Sequence, residues 1–207
     1  KKLSSLVLLS LSSALVLAAC GGEGSTADSS ESAGANGSDQ VLNLIESAEI
    51  PTMDSVQATD TVAFTALSNV NEGLYRQGLD GTVELGIAAE DPTVSEDGLV
   101  YTFTIRDEAN WSNGEPVTAD DFVYSWRKLV DPASAASYSY MMDGVIANAT
   151  EIIAGEVAPK ELGIKAIDEK TLEITLTSPV PYFKDLLTLA MFFPQNQAFV
   201  EEQGDQY

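Results

Sequence analysis

Few side chains in this sequence are suited to chemistry, and their spacing narrows the options further. The chain holds one cysteine, Cys20, and no histidine. Without histidine there is no imidazole base, no imidazole metal ligand and no Ser-His-Asp or Cys-His arrangement. A lone thiol forms no intrachain disulfide and no thiolate cage. Asp120-Asp121 is the most suggestive carboxylate pair. Neighbours on a helix do not face each other, however, and acids in a first turn serve the helix dipole. They are read as capping residues. Asn148-Ala-Thr150 fits the glycosylation acceptor pattern, a weak match. Trp111-Ser-Asn-Gly114 reads as a turn at a strand end, and Phe122, Tyr124 and Trp126 as mostly helix core. The expectation is a protein that is not an enzyme, with no catalytic residue, no cofactor and no metal.

Charge excludes a further class. Ten basic residues against 32 acidic ones give a formal charge of −22. Such a chain is repelled by nucleic acid and by anionic lipid surfaces, so no nucleic-acid partner is expected. The acidic residues are dispersed, as on a solvated face.

The thiol itself has a context. Lys1 and Lys2 precede an apolar stretch from Leu6 to Leu17, which closes with Leu17-Ala-Ala-Cys20. The stretch is too short for an ordinary membrane span and has the layout of a secretory signal. Small residues before a cysteine resemble the bacterial lipoprotein lipobox. That resemblance implies a signal peptide over 1–19, removed to leave a lipidated Cys20 as the new N-terminus. Residues 21–39 contain no large apolar side chain. They cannot bury enough surface to offset chain entropy, so 20–39 is read as lipidated cysteine plus disordered tether, with folding from residue 40.

Beyond the tether the patterns are mixed. Val41–Ile45 reads as a first strand. Asp60–Gly73 reads as a helix capped by Asp60, with Val62, Ala66, Leu67 and Val70 on one face. Asp80-Gly81 marks a turn between short strands. From Leu99 to Arg106, Tyr101, Phe103 and Ile105 alternate with Thr102, Thr104 and Arg106. Thr118 should cap a helix through the amide of Asp121, with Phe122, Val123, Trp126 and Leu129 at core spacing and Asp131-Pro132 as its stop. A short helix over 150–156 follows. Next come a hairpin of 164–168 with 171–176, a helix from Pro181 to Leu189, and a last helix over 196–203. The fold class is α+β, a mixed α/β arrangement.

The stretch from Ser95 to Pro132 is the most specific. Tyr101–Arg106, Trp111–Gly114 and Pro116–Trp126 closely resemble the signature of the extracellular solute-binding proteins of oligopeptide ABC transporters. Asn71–Tyr75, Leu162–Ala166, Thr171–Glu173 and Pro179–Phe183 continue the resemblance in order. Ala89–Pro92 departs from it, since family members commonly carry an aromatic residue there. The resemblance implies a type II periplasmic-binding-protein-like fold, with 40–207 as the N-terminal part of the binding domain and its first lobe incomplete. It implies capture of extracellular oligopeptides, with Ala58, Thr59, Asp60, Thr61 and Tyr138 at the ligand. The implied partners are an oligopeptide, an ABC permease with its ATPase, and a membrane reached through the lipid anchor. The protein is expected to be a monomer, lipid-anchored on the extracellular face of a cell membrane. The long tether favours a single-membrane organism, and in a two-membrane one the protein would lie on the periplasmic side of a membrane. The same fold could instead serve a dipeptide, a nickel complex or haem, or act as a peptide-pheromone receptor. A single lobe is expected to bind peptide weakly or not at all.

Overall fold

The computed structural model describes residues 43, 45–204 and 207. The signal, Cys20, the tether and most of the expected strand at 41–45 lie outside them. Ile45, the described end of that strand, is almost fully exposed and belongs to no strand.

In chain order the elements are α1 (Thr61–Val70), β1 (Tyr75–Gln77), β2 (Val83–Leu85), β3 (Thr93–Val94), β4 (Val100–Thr104), α2 (Ala119–Val130), α3 (Ala149–Ile153), β5 (Ile164–Ala166), β6 (Thr171–Thr175), α4 (Phe183–Leu186) and α5 (Gln197–Gln203). β1 and β2 pair around the Asp80-Gly81 turn, and Gly81 adopts the positive φ that such a turn needs. The other four strands form an antiparallel sheet in the order β3-β4-β6-β5.

Alternation in β4 and β6 sets the core. Phe103 lies opposite Leu172, and Tyr101 opposite Ile174, so the apolar side chains of both strands share one face. Across that face lies α2, which buries Phe122, Val123, Trp126, Leu129 and Val130 as its spacing predicts. The indole of Trp126 donates to the carbonyl of Phe192 at 2.9 Å, and the hydroxyl of Ser125 to that of Phe193 at 2.7 Å. These bonds fasten the 190–193 turn to the helix without leaving a buried polar group unpaired.

α1 departs from the expected pattern. Asp60 caps it, its carboxylate accepting from the amides of Val62 and Ala63 at 3.0 Å each. The buried stripe, however, is Ala63 and Leu67, and Val70 is 67% exposed. The helix packs on a small cluster of Ala58, Ala190 and Phe193, and Ala63 lets that cluster approach closely. It also ends at Val70 instead of Gly73. Gly73 and Leu74 offer their carbonyls to the amides of Ile87 and Gly86 at 2.8 and 2.9 Å, so tertiary bonding outweighs continued helix there. α3 and α4 are likewise shorter than expected. Gly155, with φ +76, closes the turn after α3, and residues 190–192 form a separate 3₁₀ turn after α4.

Candidate ligand-binding site

The loop before α1 is built outward from Asp54. That carboxylate is buried and accepts from the amide of Val56 at 2.9 Å, from Gln195 at 2.6 Å and from the ammonium of Lys128 at 2.9 Å. Its own carbonyl accepts from the amides of Gln57 and Ala58 at 3.1 and 2.9 Å. The chain from 54 to 58 is therefore a tight turn pinned to α2 and to the segment at Gln195. Ala58, at its end, is fully buried, while Thr59 and Thr61 are exposed. Among the described residues, no hydrogen bond involves the main chain of Thr59 or the amides of Asp60 and Thr61.

Tyr138 reaches the same region from the C-terminal end of α2, the end that also carries Lys128. The helix stops at Asp131, whose carboxylate accepts from the amide of Ala133 and opens a short 3₁₀ turn at Pro132–Ser134. Ala135 then takes a left-handed φ of 50°, which turns the chain toward Tyr138. The tyrosine is half-buried. Its ring meets Phe64 of α1 edge-on at 5.7 Å and Tyr140 at 5.8 Å. Gln57 supplies the second link, its side-chain amide donating to the carbonyl of Ser134 at 2.8 Å. The residues flanking Ala58–Thr61, Gln57 before and Phe64 after, are thus tied to the segment that carries Tyr138. Asp60 acts as helix cap, and Tyr138 packs while leaving part of its ring exposed.

Phe64 also lines a cleft of about 860 Å³ that runs along α1. Val70, Trp111 and Phe193 supply apolar wall, and Glu72, Arg76 and Arg106 the rim. Arg106 pairs with Glu72 at 2.7 Å, and Arg76 bridges Glu72 to Glu84. These exposed pairs set the rim's shape more than its stability.

The other residues considered for chemistry have structural employment. Trp111 donates its indole N–H to the Asp121 carboxylate at 3.1 Å, which also accepts from the Thr118 amide at 2.8 Å. Thr118 and Asp121 form a reciprocal capping box, with the acid reaching back to the cap. Burial pushes the Asp121 carboxyl above the usual carboxylate value, against the pull of those bonds. Asp120 is exposed, so the two acids face different surroundings. Asn148 donates to the carbonyl of Glu161. Among the described residues, no three acidic side chains converge as a metal site would require.

Sequence reasoning missed Asp54, Gln57, Phe64, Lys128 and Gln195. Their contacts join residues up to 141 positions apart, and no local pattern signals them. Only the helical phase of Phe64 could have suggested a packing role.

A mixed α/β unit of this topology has the fold of the type II periplasmic-binding proteins. The chain belongs to the bacterial extracellular solute-binding proteins, family 5, whose middle region it matches over residues 82–207. It is 40% identical over 159 residues to the dipeptide-binding protein of Lactococcus lactis, covering 77% of this chain and 28% of that one. Against the oligopeptide-binding protein OppA of Bacillus subtilis it is 36% identical over 214 aligned residues, covering 100% of this chain and 39% of the relative. Among solved structures, OppA of Listeria monocytogenes bound to peptide is 50% identical with a TM-score of 0.78, over 80% of this chain and 32% of that one. The chain thus spans between a quarter and two-fifths of these relatives' lengths.

Proposed function

We propose that this chain is the N-terminal part of a substrate-binding lipoprotein that captures extracellular oligopeptides for an ABC importer. The observation that carries this reading is the run of main-chain groups without a partner among the described residues, the Thr59 main chain and the amides of Asp60 and Thr61, on the loop whose helix packs Phe64 against Tyr138. An extended peptide satisfies its own amides and carbonyls against such a run, as an added strand does, which gives affinity without selecting side chains. Ala58, Thr59, Asp60 and Thr61 supply the backbone, and Tyr138 a flat apolar surface with a polar tip. No bond is made or broken. A second lobe closes over the ligand, and peptide favours the closed state because only that state contacts it from both sides.

Lipid on Cys20 holds the protein at the extracellular side of the membrane, and the tether lets it reach a permease at high effective concentration. The binding protein acts as a monomer. Dipeptide cargo is the second reading, favoured by the likeness to the Lactococcus lactis relative. Native mass spectrometry of the complete protein, purified from its own host, tests both. Co-purified peptides of mixed sequence and more than two residues are expected. Dipeptides alone would favour the second reading, and a metal complex or haem would contradict both.

A further inference from the structure

We infer that Gln57 is a positioning residue that fixes the Ala58–Thr61 loop against the Tyr138 segment, and so sets the spacing of the two ligand-contacting elements. This rests on the peptide-binding reading above. The two elements are far apart in sequence, and α2 is the body they share. Tyr138 follows from its C-terminal end through the Asp131 cap and the 132–134 turn. The loop is held to the same helix end non-covalently, by Lys128 on Asp54. Lys128 and Asp131 are three residues apart, so both attachments leave from one face of the last helical turn.

The ion pair at Asp54 fixes where the loop begins, and burial of Ala58 with Ala63, Ala190 and Phe193 holds its end on α1. Neither ties the loop to the segment that follows α2; the Gln57 side chain does. It spans from the turn at 54–58 to the carbonyl of Ser134, 77 residues away, at 2.8 Å. On the other side of the loop the Phe64 and Tyr138 rings make the matching apolar contact. The loop is thus bracketed by one polar and one apolar tie, both ending on the segment that carries Tyr138. A main-chain binding site depends on such spacing, because a ligand amide displaced by about 1 Å loses its hydrogen bond.

The test is calorimetry on the complete protein, titrated with dialanine, trialanine and tetraalanine, for wild type, Gln57→Leu, Tyr138→Ala and the double variant. Gln57→Leu is expected to weaken peptide binding about tenfold with little change in Tm. Gln57→Glu, which keeps the shape and removes the donor, should weaken it similarly. The losses from Gln57→Leu and Tyr138→Ala should not add, since without the ring there is nothing left to space. Folded Gln57 variants that bind as wild type, or losses that simply add, would overturn the inference alone. A wild-type protein that binds none of the three peptides would overturn the function reading and this inference with it.

Discussion

Asp54 shows how much can rest on one residue without any local sequence signal. Its side chain is 7% exposed and that of its partner Lys128 20%, so the pair lies largely out of water. Removing one partner of such a pair strands the other charge. Lys128→Met is therefore expected to destabilise the protein by about 3–5 kcal/mol, read as a lower urea midpoint. Replacing both, with Asp54→Leu added, should recover part of that loss; a neutral single variant would show the pair to be solvated. A second residue-scale effect depends on pH. Burial, then the hydrogen bond to Asp91, raises the Tyr75 hydroxyl above its ordinary value of 10.0. The folded protein then holds this proton more tightly than the unfolded chain. Stability from Tyr75 is complete below about pH 10 and is lost as pH rises beyond it. Tyr75→Phe should flatten that alkaline decline relative to wild type in urea unfolding. Tyr124 and Tyr207 are shifted upward as well, but they are common to both proteins and leave the difference intact.

At the scale of elements, the sequence was legible wherever one face is apolar along a regular period. The alternation of Tyr101, Phe103 and Ile105 matched β4 and its continuation, and the spacing from Phe122 to Leu129 matched α2. α1 was harder, because its six apolar residues, Val62, Ala63, Phe64, Ala66, Leu67 and Val70, could define more than one stripe. The choice fell to Phe193 and Ala190, more than a hundred residues away. Helix ends were least legible where backbone bonding to another segment competed, as at Gly73. That junction makes its own prediction. A Cβ on Gly86 would run into the carbonyl oxygen of Gly73 and lie 3.1 Å from Glu72 Cγ. Gly86→Ala should therefore cost about 1–3 kcal/mol by overpacking, despite removing a flexible residue from the unfolded chain. A stabilised variant would mean that β2 and the end of α1 can separate cheaply.

For the whole molecule, composition excluded more than it specified. The lack of histidine set aside imidazole-based chemistry and the strong negative charge a nucleic-acid partner, but no period or spacing points to Thr59 or Tyr138 as ligand contacts. Those came from motif resemblance, and their neighbourhood became visible only once Gln57–Ser134 and Phe64–Tyr138 were seen to close around them. The central claim is that the unpaired amides of this loop receive a peptide. Amide hydrogen exchange at Thr59, Asp60 and Thr61 in the complete protein, with and without saturating tetraalanine, tests it most directly. The account predicts marked slowing at these amides when peptide is bound. Unchanged exchange there, in a protein shown by calorimetry to have bound the peptide, would contradict it.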